Sequence, residues 1–236
     1  MENHFGHGTF KSSYRTYAET AEVSFFPNLR NNFQWWESNT KNPQVLNVIK
    51  QGVRADLPLP ACLSKKPCVR TYKETQMALE TIQEYLEVGA VKEIPRWKAK
   101  HLIPWFVIEK GDKLRLLTDC REINHYLIPK QFKLENWGEI FPFLRKGMWA
   151  AKIDLKHAYF HLAIENHLKQ YVCIQVENKV YQFQAACFGL NVLPQIWQSV
   201  MKVFLKKWRA QGIQCWIYLD DILLVGNSPQ VVQKTL

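Results

Sequence analysis

The sharpest hydrophobic pattern lies near the C-terminal end of the chain, where Cys215-Trp216-Ile217 and Ile222-Leu223-Leu224-Val225 flank Tyr218-Leu219-Asp220-Asp221. Two apolar runs broken by a short polar step predict strand, tight turn and strand, with paired carboxylates at the tip. A shorter apolar run from Ala150 to Ile153 predicts a strand that ends at Asp154. Two more hairpins are expected, one from His101 to Glu109 and Lys113 to Thr118 around Lys110-Gly111-Asp112. The other joins Tyr171 to Gln175 with Val180 to Gln184 around Glu177-Asn178-Lys179.

Helical spacing appears in three places. Asn42-Pro43 opens a short pattern of Val45, Leu46, Val48 and Ile49 that Gly52 closes. From about Lys73 to Val88, Leu79, Ile82, Tyr85 and Leu86 share one face, with Glu74 near the start and Gly89 as the stop. Pro194 opens the third, with Ile196, Trp197, Val200, Val203 and Phe204 as its apolar face and Gly212 beyond its end. Lys206, Lys207 and Arg209 crowd its last turns, where the helix dipole favours cations. Residues 135–145 read as a helix interrupted by Pro142. Residues 1–29 have little periodicity and predict an arm, disordered or laid over a partner surface, while Pro58, Pro60 and Pro67 with Lys65-Lys66 read as a linker.

With 47% hydrophobic residues, 236 residues suffice to bury a core in one or two compact units. The formal net charge of +10 favours a polyanionic partner, because phosphate neutralisation releases counterions, although the same charge also suits a solvated face. Nine tryptophans and nine tyrosines offer stacking platforms for bases, most of them expected in the core. The six cysteines lack metal-site spacing, which argues against zinc or a disulfide framework and for reduced thiols in an intracellular protein, cytoplasmic or nuclear. Residues 1–20 lack an apolar signal core and no run reaches membrane-span length, so secretion and a membrane partner are not expected.

The carboxylates change this picture. Two adjacent ionised carboxylates repel each other, and an apolar setting raises the cost of their charge. A bound divalent cation removes both penalties, whereas an exposed turn between core strands would explain the same string without one. Asp154 alone would serve as a helix cap or turn former. Together, Asp154, Asp220 and Asp221 supply the hard oxygen ligands that suit magnesium, which points to phosphoryl transfer.

Four segments then stand in a recognisable order: Leu114 to Asn124, Ile153 to Phe160, Phe188-Gly189-Leu190 with Pro194, and Tyr218 to Asp221. In these the chain resembles the reverse transcriptases (RNA-directed DNA polymerases) of retroviruses and LTR retrotransposons, DIRS-type and gypsy-type elements being nearest in appearance. The likeness runs from about Thr75 to the C-terminus, and Trp35-Trp36 to Gly52 is similar to the region ahead of the polymerase in DIRS-type elements.

The resemblance implies an α+β fold, the fingers and palm of a right-hand polymerase, with an antiparallel palm sheet backed by helices and the thumb missing. It divides the chain into an N-terminal extension and linker (1–72), fingers (73–128), palm with the first catalytic Asp (129–161), fingers again (162–193) and palm with the YLDD hairpin (194–236). Asp154, Asp220 and Asp221 are the implied catalytic residues. With the Leu155 carbonyl they are also the implied ligands of two magnesium ions, manganese being the alternative. Lys110, Arg115, Ala158, Tyr159 and Phe188 are implied contacts of the incoming dNTP, and Arg121, Gly189, Pro194 and Tyr218 of an RNA or DNA template with its primer.

Several of these positions also have plain structural readings. Lys110 suits a solvated turn, Arg121 a local salt bridge with Asp119, and Tyr159 and Phe188 an aromatic core. Trp35-Trp36 suits either a docking surface or a core staple. His157 departs from the acidic residue often found in its motif, which bears on the sugar and triphosphate pocket. The chain stops at Leu236, ahead of the family's later palm motifs, thumb and ribonuclease H domain. It is therefore expected to be a portion of a longer polyprotein with a C-terminal partner portion, or alternatively a truncated or domesticated module that binds nucleic acid or protein without catalysis. Retention of Asp154, Asp220, Asp221, Lys110 and Arg115 argues against the second expectation.

Overall fold

The computed structural model describes residues 26–64, 66, 68–110 and 113–235, with the side chains of 109, 110, 113, 114, 137, 234 and 235 excepted. The arm up to residue 25, Lys65 and Pro67 of the linker, and the Gly111-Asp112 turn lie outside the described residues.

The longer helices are α1 (Phe33–Asn39), α2 (Pro43–Gln51) and α3 (Tyr72–Glu87). Strand β1 (Val91–Ile94) follows, then the hairpin β2 (Trp105–Lys110) and β3 (Lys113–Thr118), and the short helices α4 (Arg121–Asn124) and α5 (Trp137–Ile140). After β4 (Trp149–Asp154) come α6 (Asn166–Lys169), β5 (Cys173–Val176), β6 (Lys179–Phe183), α7 (Leu193–Ala210), β7 (Gln214–Tyr218), β8 (Asp221–Gly226) and α8 (Pro229–Thr235). The strands form three small antiparallel sheets, ordered β1-β6-β5, β2-β3 and β4-β8-β7. The fold is thus mixed helix and antiparallel sheet.

Local chemistry accounts for the helix boundaries. The Asn42 side chain accepts from the backbone N–H groups of Gln44 and Val45, and Pro43 occupies the first turn of α2, where its missing N–H costs nothing. At α3 the Thr71 hydroxyl accepts from Glu74 N–H while the Glu74 carboxylate accepts from Thr71 N–H, so two otherwise orphaned donors are satisfied together. The same hydrogen bonds hold the Glu74 carboxyl below its ordinary range.

The core runs from the N-terminal helices to the hairpin. Trp36 is buried and donates its indole N–H to the Leu29 carbonyl at 3.1 Å, while Trp35 stacks on Phe204 of α7 with 5.1 Å between ring centres. The tryptophan pair is therefore a core staple. Phe26 N–H donates to the Val88 carbonyl at 2.7 Å and its ring meets His161 edge-on, so residues 26–29 of the expected arm pack on the chain's own body.

Two other expectations need correction. Residues 101–104, read as the start of a strand, form none. Leu102 N–H bonds Ser64 O at 2.8 Å and Ile103 N–H bonds Cys173 O at 2.7 Å, so successive residues pair with different segments. Pro104 then has no N–H to offer a ladder. The linker around Pro60 is also fastened down, for the Tyr171 hydroxyl donates to the Pro60 carbonyl and Leu63 N–H to Lys100 O.

Strand β7 is the edge of its sheet, and an unpaired edge invites association. Glu135 covers it: one carboxylate oxygen accepts from Ile217 N–H at 3.0 Å, the other from Arg209 at 2.7 Å. Arg209 in turn donates to the Cys215 carbonyl. Glu135→Ala removes the acceptor and leaves two donors without it, so a loss of about 2 kcal/mol is expected in urea unfolding. An unchanged midpoint would show that water replaces the carboxylate.

His161 provides a pH-dependent contribution. Burial, then the neighbouring His157, pushes its pKa down to about 4, and its ring lies over Trp197 with Nδ1 2.7 Å from Asn28 Oδ1. The unfolded chain takes up the proton near pH 6.5, the folded chain only near 4, so stability is full above about 6.5 and falls as pH drops toward 4. Melting temperatures across that window should fall less steeply in His161→Phe than in the unaltered chain.

No helix among the described residues is long and apolar enough to cross a membrane. All six cysteines are free, and Cys120, Cys173, Cys187 and Cys215 are buried.

Candidate active site

Strand alternation assembles the site. In the β4-β8-β7 sheet, Ile217, Ile222 and Leu224 turn into the core, while Asp154 and Asp221 sit directly opposite each other on neighbouring strands. Tyr218 pairs with Asp221, so Leu219 and Asp220 are the two residues of the β7–β8 turn. Leu219 has φ of 55°, a left-handed conformation that costs a branched residue free energy and persists only where its surroundings enforce it. Two hydrogen bonds do so. The Trp197 indole donates to the Leu219 carbonyl at 2.9 Å, and Leu155 N–H donates to the Asp220 carbonyl at 2.9 Å. The second bond ties the end of β4 to the turn, bringing Asp154, Asp220 and Asp221 to one end of the sheet.

These carboxylates are less costly than an apolar hairpin would suggest. Asp154 is exposed, and Asp220 and Asp221 are half-buried. Lys152, on the same face of β4 as Asp154, places Nζ 2.9 Å from Asp221 Oδ1. Its pKa is raised by that hydrogen bond and by the charge of Asp221, with Asp154 and Asp220 adding to the effect. The intended residues thus fit a cation, and the lysine ammonium is drawn to them. Among the described residues no three such side chains already close into a metal cage. That openness suits magnesium, which keeps waters and substrate phosphates in its shell.

The aromatic candidates flank this corner. Ala158 and Tyr159 are buried in the turn Ala158–His161, and the Tyr159 ring lies 5.0 Å from that of Phe188, which is partly exposed. Burial first, and then the charge of Asp220, pushes the Tyr159 hydroxyl up to about 12. Gly189 has φ of +108°, and an added Cβ would stand 2.8 Å from the Thr118 carbonyl oxygen and 2.9 Å from Cys120 Sγ. Packing inside the protein already demands glycine there. Asn124 reinforces the loop by donating to the Gly189 carbonyl and accepting from Asn191 N–H.

Other candidates lie apart. Arg115 is exposed on β3 opposite Ile108, and Tyr218 is exposed at the end of β7. Arg121 is exposed and grips Asp119 through two nitrogens, which holds the Asp119 carboxyl below its ordinary range. Pro194 lies in the first turn of α7. The Lys110 side chain lies outside the described residues. Among the described residues no ion pair joins Arg115 or Arg121 to the three aspartates.

Sequence reasoning missed Lys152, Trp197 and Glu84. Lys152 was findable, since two residues before Asp154 in a strand means the same face. Glu84 was not: its carboxylate accepts from Lys156 at 2.8 Å and lies 3.1 Å from His157 Nε2, a meeting of α3 with the residues after β4. His157 has φ of 52°, so the departure from the motif is accommodated in a left-handed turn anchored on α3.

A three-stranded antiparallel sheet with a carboxylate-bearing turn beside a third aspartate defines the palm of a nucleotide polymerase. Residues 108–236, more than half the chain, match the family described as reverse transcriptase (RNA-dependent DNA polymerase), and the chain belongs to that family. It is 24% identical over 200 residues to an enzymatic polyprotein of figwort mosaic virus (strain DxS), covering 83% of this chain and 27% of that protein. An enzymatic polyprotein of soybean chlorotic mottle virus is 26% identical over 172 residues, 69% of this chain and 24% of the relative. The retrovirus-related Pol polyprotein from transposon 297 of Drosophila melanogaster is 24% identical over 189 residues, 77% and 17% of the two chains. These relatives place the chain with LTR-retroelement-type reverse transcriptases, and the chain spans about a quarter or less of their length.

Proposed function

We propose that this chain is the fingers and palm portion of a retroelement polymerase that extends a primer with deoxynucleotides on an RNA or DNA template. One observation carries the proposal: Asp154 opposite Asp221, with Leu155 bonded to Asp220, gathers three carboxylates at one sheet end. Asp154 and Asp220, with the Leu155 carbonyl, would hold two magnesium ions, and Asp221 completes the acidic set; manganese is an alternative ion. Bound there, the metals neutralise phosphate charge and lower the pKa of the attacking 3'-hydroxyl. Lys152 gives up Asp221 when a stronger cation arrives and keeps the set charged until then.

The rest of the chain binds and orients. Arg115 offers a planar pair of donors to triphosphate oxygens and Lys110 a point charge. Tyr159, fixed on Ala158 and against Phe188, presents a ring beneath the nucleotide sugar. Gly189, Pro194, Arg121 and Tyr218 face the template and primer. Catalysis of this kind rests on placement and charge, so no covalent nucleophile is required. In a longer protein, a C-terminal portion would hold the duplex.

The test is extension of a labelled DNA primer on an RNA template, by the chain alone and with a C-terminal portion supplied in trans. Magnesium-dependent product that EDTA abolishes is expected; no product in either format, from folded chain, overturns the reading. Tyr159→Ala should raise ribonucleotide incorporation relative to deoxynucleotide by about tenfold. An unchanged ratio removes the sugar-sensing role.

A further inference from the structure

Away from the carboxylates, the N-terminal residues and the loop ahead of α6 enclose an open cleft of about 740 Å³. Its lining is rich in donors: Arg30 and Asn31, Gln51 at the end of α2, and Asn166 and Lys169 of α6, with Glu165 as the one acid. Lys92 of β1 lies near enough for its charge to act on Lys169. Burial lowers the Lys169 pKa first, and the charges of Lys92 and Arg30 lower it further. No carboxylate among the described residues pairs with Arg30, Lys92 or Lys169. Elsewhere the described lysines often hold acids, as Lys179 holds Glu93 and Lys156 holds Glu84. Crowded cations that repel one another across a cleft, with amide donors beside them and no internal counter-ion, are arranged for an external anion.

We infer that the cleft formed by Arg30, Asn31, Gln51, Asn166 and Lys169 binds a phosphate group, supplied by a nucleic-acid strand running over the N-terminal face or by a free phosphate ester. Arg30 provides a planar, two-pronged donor and Lys169 a half-buried point charge, while the amides fill the remaining oxygens. Glu165 limits how much negative charge the site takes, which favours a single phosphate over a stacked triphosphate. The site lies between the N-terminal extension and the body, so it gives that extension a direct part in holding polyanion.

The experiment needs no metal and no turnover, so its outcome is independent of the polymerase reading. A fluorescent single-stranded oligonucleotide is titrated with the chain and with Arg30→Gln/Lys169→Gln in EDTA across a salt series. In a parallel arm, melting is followed with and without pyrophosphate. For a strand-borne phosphate, the double variant should bind the oligonucleotide about tenfold more weakly, and its salt slope should be shallower by about 1.4, two contacts at roughly 0.7 each. For a free ester, pyrophosphate should raise the melting temperature of the unaltered chain only, with oligonucleotide binding unchanged. Lys169→Arg should retain whichever response is seen. If the double variant does not fold, Arg30→Gln, at an exposed position, carries the test with half the slope change. Equal affinity, slope and pyrophosphate shift in chain and variant overturn the inference.

Discussion

Asp220→Asn is expected to lower primer extension by at least about a thousandfold, some 4 kcal/mol of barrier, while leaving the melting temperature nearly unchanged. The split follows from where the residue's atoms are used. Its backbone carbonyl holds Leu155 N–H, and an amide side chain leaves that bond intact. Asp220 is half-buried and the described residues give its side chain no hydrogen bond or ion pair, so little folding energy rests on its charge. A metal-binding role makes the opposite demand, because Asn offers one neutral oxygen where a carboxylate offers two charged ones. Asp154→Asn should behave alike. Single-turnover extension over a magnesium titration reads the effect, and full activity at any magnesium concentration would remove Asp220 from the ligand set.

Gly52→Ala should have the largest effect on stability, about 3 kcal/mol or more in urea unfolding. Gly52 ends α2 with φ of 94° and ψ of 178°, a region open essentially to glycine alone. A Cβ there would stand 2.8 Å from the Ala163 carbonyl oxygen and 2.9 Å from Glu165 N and from Ile164 C, all main-chain atoms. Those atoms are in turn held, since Val53 N–H donates to Ala163 O at 2.8 Å and Glu165 N–H to Val53 O at 2.9 Å. Nothing flexible can yield, unlike at Gly212, where an added Cβ meets nothing within 4 Å. Gly212→Ala is thus the natural comparison, with only the φ penalty to bear. A Gly52→Ala midpoint equal to that of the unaltered chain would mean the backbone is free to move there.

Local rules made much of this fold legible. Asn42, Thr71 with Glu74, Pro194 and the two-residue break at Leu219-Asp220 act through neighbours in sequence, so caps, helix starts and the carboxylate hairpin followed from the string. The three aspartates were legible as a set because hard oxygen ligands have few other uses together. What escaped was long-range bonding. Glu135 capping Ile217, Glu84 holding His157 and Lys156, and Ser64 pairing with Leu102 each join segments far apart in sequence, and no periodicity records such a meeting. The cost of the paired charges was misjudged for a related reason. Alternation along β7 and β8 sends their apolar neighbours to the other face, so an apolar run in sequence is not an apolar surrounding in space.

The indole of Trp197 reaches the carbonyl at the hairpin tip from α7, and farther along that helix Phe204 is wedged against Trp35 and Trp36. The helix behaves as a tie-bar with one end fixed in the N-terminal extension and the other carrying the strained turn. Cutting the chain after α2 would then do more than shorten it: the bar loses its anchorage, and the alignment of Asp220 with Asp154 loses part of its bracing.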